Sequence, residues 1–153
     1  PNQKFQHRMA DFAATIKSEL LKNEYDECLL IGHSAGNICL ISVLAEMISQ
    51  DEVPNKDKLK IISLGQCVPL LSLAKKATVF RKNVKLAASY DGFWLDVTAP
   101  SDGVCFAFKG PFVGVCKSHN PQLKIISARF PKMFEEKKYQ QIKKMRAPTR
   151  YLA

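Results

Sequence analysis

The chain has 153 residues, of which 46% are hydrophobic and 24% are charged, and its formal net charge is +9 at pH 7. This length and composition are typical of one globular domain with its own core. No stretch approaches the roughly 18 uninterrupted apolar residues of a membrane-spanning helix, and residues 1–20 lack the apolar run of a signal peptide. A cytoplasmic location is therefore favoured. The chain begins with Pro1 rather than Met, so we expect it to be truncated.

The positive charge is concentrated near the C-terminus. Between residues 132 and 150, seven lysines and arginines stand against two glutamates, which leaves a local charge of +5. A basic segment of this kind can contact anionic membranes or nucleic acid, although a solvated helix face is the more common explanation. We expect at most weak contact with anionic surfaces and no nucleic-acid binding, because no aromatic residues alternate with the basic ones.

The cysteine pattern favours free thiols over a disulfide framework or a metal site. The count is odd and no pair has the CxxC spacing of zinc or redox sites. Several members lie inside apolar runs, which is typical of buried thiols in a reducing compartment. The five residues are Cys28, Cys39, Cys67, Cys105 and Cys116, and a bridge between the last two remains an alternative.

The first fifty residues predict a helix, a strand and a second helix. Apolar residues at steps of three and four predict an amphipathic helix over residues 4–22. The short apolar run at 28–31 predicts a buried parallel strand. After a tight turn at 32–36, residues 38–48 are apolar on nearly every side, which predicts a helix covered on more than one face.

The rest of the chain continues to alternate between short apolar runs and helical segments. Strands are predicted over residues 59–64, 84–88, 93–97 and 123–127. Helices are predicted from Pro69 to about residue 76 and, with a strongly basic composition, over 132–145. Such alternation predicts an α/β fold with a mostly parallel sheet and helices on both faces, in a single domain over residues 1–153.

The turn between the first strand and the second helix contains Gly32-His33-Ser34-Ala35-Gly36, a G-x-S-x-G pattern. Between a buried strand and a buried helix, this pattern predicts a nucleophile elbow, in which small neighbours two residues away allow a strained turn to expose the serine hydroxyl. The Ala35 N–H would then donate to an oxyanion beside the helix N-terminus. Alternatively, Ser34 only caps the helix. Adjacent residues on a tight turn point apart, which disfavours His33 as the base.

These residues resemble the α/β-hydrolase superfamily, on its esterase and lipase side, from the helix before the elbow onward. Residues 90–104, an aromatic-rich strand leading into an Asp-Gly loop, also resemble a bacterial group of poorly characterised α/β hydrolases. The resemblance covers most of the chain and implies an incomplete α/β-hydrolase fold, because the early strands of that fold would precede this chain. We therefore expect truncation at one or both ends.

A serine nucleophile needs a base, and the base needs an acid that orients it. In this fold the acid follows the serine along the chain and the histidine comes last. Asp102 fits the acid best, because it lies in the loop after the strand at 93–97 and has Gly103 beside it. Asp96, inside that strand, and Asp91, in an Asp-Gly pair typical of turns, are the alternatives.

The base is harder to assign. The chain has three histidines, His7, His33 and His119, and only His119 follows Asp102. It precedes the strand at 123–127, whereas the resemblance implies a histidine after the final strand. Either His119 is the base, or the histidine lies beyond residue 153, or the protein keeps the fold without the base.

The favoured function is therefore hydrolysis of a small-molecule ester or a lipid by Ser34, Asp102 and His119, with Ala35 in the oxyanion hole and no cofactor or metal. One alternative is a catalytically inactive relative that binds a partner or a small molecule. Another is a surface-binding protein that uses the basic C-terminal segment. The apolar loop at residues 106–115 would help an enzyme to approach lipid.

Overall fold

The computed structural model describes residues 2–50, 53–117 and 120–144. Helices and strands alternate along the chain, as the sequence predicts for an α/β fold. The elements in chain order are α1 Gln3–Lys22, β1 Cys28–His33, α2 Gly36–Ser49, β2 Leu59–Leu64, α3 Val68–Ser72, α4 Thr78–Ala88, β3 Trp94–Thr98, β4 Leu123–Ser127, α5 Phe130–Met133 and α6 Glu136–Lys144.

The four strands form one fully parallel sheet in the order β1-β2-β3-β4. The register pairs Cys28 with Leu59, Ile61 with Trp94, and Trp94 with Leu123. All four strands therefore end on the same side of the sheet, which we call the carboxyl edge, and begin at the opposite side, the amino edge. The predicted α/β class and parallel sheet are confirmed.

Helix α2 is the centre of the helical layer. It contacts β1, and α1 and α4 pack against it on either side. Its side chains Ile41, Leu44 and Met47 are fully buried, which confirms the prediction of a helix covered on several faces. Burial of each such side chain contributes about 1.5–3 kcal/mol to folding. Helix α2 therefore contributes strongly to the stability of the core.

One predicted strand is wrong. Residues 84–88 belong to helix α4, whose buried residues Phe80, Val84, Ala87 and Ala88 recur at helical spacing against α2. The predicted basic helix is also divided, because Phe134 adopts an extended conformation (φ −124°, ψ 149°) between α5 and α6. Met145, the last residue of that predicted helix, lies outside the described residues.

The two faces of the sheet differ in burial. Leu59, Ile61 and Trp94 point into the core, where the Trp94 ring meets Phe112 edge-on at 5.2 Å. On the other face of the edge strand β1, Leu29 and Ile31 are more than half exposed. The five cysteines are free, as predicted. Among the described helices, each is too short or too polar to cross a lipid bilayer.

Candidate active site

Ser34 occupies a strained turn between β1 and α2. Its φ is +50°, in the left-handed region that non-glycine residues rarely adopt. The turn is held to the sheet because Ser34 N donates to Leu64 O at 2.9 Å. Helix α2 has Ala35 as its N-cap without a side-chain capping bond, which gives no support to the alternative that Ser34 caps the helix. Within the described chain the Ser34 hydroxyl makes no hydrogen bond.

Gly32 allows the strand and the helix of this turn to approach each other. A Cβ at Gly32 would lie 2.5 Å from Asn37 Oδ1 and 3.0 Å from Leu40 Cδ1, closer than packed atoms approach. A Cβ at Gly36 would meet nothing within 4 Å. The steric requirement expected for both glycines therefore applies only to Gly32.

Asn37, at the start of α2, holds the Ser34 turn in place through side-chain hydrogen bonds. Its side chain is buried, and Nδ2 donates to Ser34 O at 3.0 Å and to Leu64 O at 3.3 Å. These bonds tie the start of α2 to the turn and to the end of β2. The only sequence signal for this role is a polar amide at the start of an otherwise apolar helix, and sequence analysis missed it.

Ala35 lies where α2 begins, and the residue is exposed at the carboxyl edge. The partial positive charge of a helix N-terminus stabilises negative charge that develops beside it. No other described residue accepts a hydrogen bond from the Ala35 N–H. The geometry therefore permits the predicted oxyanion-hole role.

Asp102 also lies at the carboxyl edge, in the loop after β3. Its Oδ1 accepts hydrogen bonds from Val104 N at 3.0 Å and from Cys105 N at 3.4 Å. Its Oδ2 faces Gly65, because a Cβ at Gly65 would be 3.2 Å from that oxygen. Gly65 directly follows β2, the neighbour of β1, so Ser34 and Asp102 occupy the ends of strands that flank β2.

The surroundings of the Asp96 carboxyl group differ from those expected of a carboxylate that orients a base. Its side chain is fully buried on β3, and burial raises the pKa of Asp96 to about 7. The Gln66 side chain opposes this shift to a smaller extent, but within the described residues neither carboxyl oxygen has a partner at hydrogen-bond geometry. The carboxyl group of Asp96 is therefore buried away from water without a hydrogen-bond partner among the described residues.

Asp91 lies at the wrong edge for the proposed acid. It precedes β3 and pairs with Lys56 at 2.6 Å, and Lys56 precedes β2. Both residues are therefore at the amino edge, a strand length away from Ser34. The hydrogen bond from Lys56 lowers the pKa of Asp91, which is the behaviour of an exposed ion pair at a turn.

The structure does not bring a described histidine to the serine as its base. His119 lies outside the described residues. The next residue, Asn120, is buried and donates through Nδ2 to Gly92 O at 2.7 Å, which places Asn120 at the amino edge. His33 is exposed at the end of β1, and His7 lies on α1, 3.9 Å from Asp11.

Gln66 is a second residue that sequence analysis missed. It is fully buried after β2; its Oε1 accepts from Val68 N at 3.0 Å, and its Nε2 donates to Lys109 O at 3.0 Å. It thereby joins α3 to the loop after β3. A polar residue between Gly65 and an apolar helix was the available signal.

No group of three or more His, Cys, Asp or Glu side chains in the described ranges is arranged to hold a metal ion. Comparisons with protein-family models, with curated protein sequences and with solved structures find no match to this chain. The geometry of the chain itself therefore carries the functional argument.

Proposed function

We propose that this protein is a serine hydrolase that cleaves esters, with an incomplete α/β-hydrolase fold. The observation that carries the proposal is Ser34 at φ +50° between a parallel strand and a buried helix. A strained, non-glycine residue whose hydroxyl is free at such a turn is the arrangement expected of a nucleophile elbow. The α/β-hydrolase fold that we propose also implies helices on both faces of the sheet.

In the proposed reaction, Ser34 Oγ attacks the acyl carbon of the ester while a histidine takes the hydroxyl proton. The Ala35 N–H stabilises the negative charge that develops on the carbonyl oxygen. The same histidine then protonates the departing alcohol, which leaves an acyl-serine. Water, deprotonated by the histidine, attacks the acyl-serine and releases the acid together with free Ser34.

Asp102 orients that histidine in the proposal. The two backbone N–H groups that bond to Oδ1 fix its carboxylate, and Oδ2 remains directed towards the end of β2. His119 is the histidine that follows Asp102 along the chain. Chain order makes it the candidate base, whereas the position of its neighbour Asn120 at the amino edge counts against it. Its variant is therefore part of the test.

A non-catalytic binding protein with the same fold is the second candidate. It is favoured by the absence of histidine from residues 120–144. This described part of the chain contains β4 and the helices that follow it. In that case the carboxyl edge would bind a small molecule or a partner, and Ser34 would have no activated hydroxyl.

The test is covalent labelling with a fluorophosphonate, followed by intact-mass measurement. We expect one adduct on the wild type, none on Ser34→Ala, and an unchanged adduct on Ser89→Ala, a serine at the C-cap of α4. Loss of the adduct in His119→Ala would identify the base. If the folded wild type forms no adduct, the hydrolase proposal is wrong and the binding protein is favoured.

A further inference from the structure

Exposed apolar side chains gather near the candidate site at the carboxyl edge. They come from two segments, α3 with the residue after it and the loop after β3. We call the following five side chains the apolar rim: Leu70 (57% exposed), Leu71 (36%), Leu73 (55%), Val104 (55%) and Phe108 (60%). Exposed apolar clusters on one surface commonly mark interaction sites.

The two segments of the apolar rim are held together by specific contacts. Buried Gln66 bonds to Val68 N in α3 and to Lys109 O next to Phe108. Further along, a Cβ at Gly114 would come within 2.7 Å of Leu73 Cδ2, so the end of α3 touches the loop directly. The apolar rim is therefore one surface rather than two separate patches.

Phe108 is presented in an unusual conformation. Its φ is +60°, in a region that a bulky residue adopts only when its surroundings enforce it. In this conformation Phe108 N donates a hydrogen bond to Thr98 Oγ1 at the end of β3, at 3.3 Å. The fold thus bears backbone strain while it presents an aromatic ring to solvent, which points to a use for that ring.

Acidic residues are scarce in the two segments that carry the apolar rim, and Asp102 is the acidic residue that lies beside the rim at the carboxyl edge. Residues 65–89 and 103–134, which carry the apolar rim, contain no Asp or Glu. Lys109 directly follows Phe108, Lys75 and Lys76 follow Leu73 after Ala74, and all three lysines are exposed. The amino edge carries both signs of charge: Glu24, Asp26, Glu27, Asp57 and Asp91 precede the strands there, together with Lys56 and Lys58.

A cavity of about 210 Å³ opens beside the apolar rim. It is bounded mainly by apolar groups of the loop and of the edge strand β4, including Phe108, Gly110, Phe112, Val113, Leu123 and Ile125. Gly110 keeps this space open, since a Cβ there would lie 3.3 Å from both Leu123 Cδ2 and Ile125 Cδ1. An apolar chain that enters beside Phe108 has a recess to occupy.

We propose that the apolar rim, flanked by Lys75, Lys76 and Lys109, docks on a lipid bilayer that contains anionic lipids. The apolar side chains enter the headgroup region, while the lysines contact anionic headgroups around them. A second copy of this chain fits less well, because both rims would bring the same lysines together. The proposal concerns binding and goes beyond the proposed hydrolase function.

The experiment is flotation with phosphatidylcholine vesicles, with and without phosphatidylglycerol, at low and at raised salt. We expect binding to the phosphatidylglycerol vesicles that weakens as salt rises. Phe108→Asn combined with Leu70→Gln should weaken binding at least tenfold, and asparagine tolerates the left-handed conformation at position 108. Lys75→Glu combined with Lys109→Glu should also weaken it roughly tenfold or more.

The matched controls change the same chemistry at the amino edge. Leu21, on the last turn of α1, is 68% exposed, and Leu21→Gln combined with Lys17→Glu should leave binding unchanged. Ser34→Ala should bind as the wild type does, which separates this proposal from the hydrolase proposal. No binding by the wild type, equal losses in the control, or losses in the lysine variant alone would each overturn the docking surface.

Discussion

The carboxylate of Asp102 lies against the α-carbon of Gly65, so that a Cβ at Gly65 would be 3.2 Å from Asp102 Oδ2. Gly65 has φ +52°, and its N–H donates to Val97 O at 2.8 Å. Position 65 therefore needs glycine for its conformation and for the space beside the candidate acid. The residues at the carboxyl ends of β2 and β3 are therefore in direct contact.

Replacement of this glycine tests that relationship. We expect Gly65→Ala to lower the free energy of unfolding by about 1–2 kcal/mol from the left-handed conformation alone, with more from the contact with Asp102. Gly36→Ala is the matched control, because a methyl group at that position would have no atom within 4 Å, and alanine favours the helix by up to about 1 kcal/mol. Urea denaturation followed at Trp94 measures both; equal stabilities would contradict the assignment.

Gly32→Ala addresses the approach of β1 to α2. The added Cβ would lie 2.5 Å from Asn37 Oδ1, so the amide must move and its hydrogen bonds to Ser34 O and Leu64 O must weaken. Overpacking of this kind costs about 1–3 kcal/mol. We expect a lower Tm together with slower fluorophosphonate labelling of Ser34. Unchanged labelling at unchanged Tm would show that α2 adapts to the extra methyl group.

Asp102→Asn tests the proposed acid. Asparagine can still accept the hydrogen bonds from Val104 and Cys105, but it lacks the charge that stabilises an imidazolium. If the protein is the proposed hydrolase, ester turnover should fall by on the order of 10⁴-fold with little change in Tm. Asp91→Asn, which removes the exposed pair with Lys56, should leave turnover intact and cost at most about 1 kcal/mol of stability. Similar turnover in both variants would exclude Asp102.

The buried carboxyl of Asp96 predicts a pH dependence of stability. Its pKa is about 7 in the folded chain against the ordinary value of 3.8. Between these values the unfolded chain is ionised and the folded chain is protonated, so stability falls as pH rises. The penalty is absent below about pH 4 and complete above about pH 7, where it is on the order of 4 kcal/mol.

Asp96→Asn should remove this dependence. The stability of the variant relative to the wild type is expected to rise between about pH 4 and pH 7 and then to level off. Urea denaturation of both proteins across that range measures the difference. Parallel stability curves would mean that Asp96 does not change its protonation on unfolding in this interval.

Three of the strands could be predicted closely because each is a short apolar run between polar or turn residues. Residues 59–64 and 123–127 match β2 and β4 at both ends, and 93–97 differs from β3 by one residue at each end. The strand predicted at residues 84–88 is wrong because the sequence before helix α4 carries no signal of a helix start. Its N-cap, Ala77, makes no side-chain capping bond, and Thr78-Val79-Phe80 are residues that favour strands.

The candidate site was predictable only where its residues are close in sequence. The spacing of Gly32, Ser34 and Gly36 indicated a strand-to-helix turn before any contact was known. The roles of Asn37 and Gln66 depend on Leu64 and Lys109, which are 27 and 43 residues away. Such partners are set by tertiary packing, and no local pattern encodes them.

The order of the strands in the sheet is also their order in the chain. During synthesis each new strand therefore pairs with one that has already emerged, and none must insert between two that are already joined. Ser34, Gly65 and Asp102 all lie within the first three strands and the loop that follows them. The strands that carry the geometry around the serine can thus pair in the order in which they leave the ribosome, and β4 adds last at the edge of the sheet.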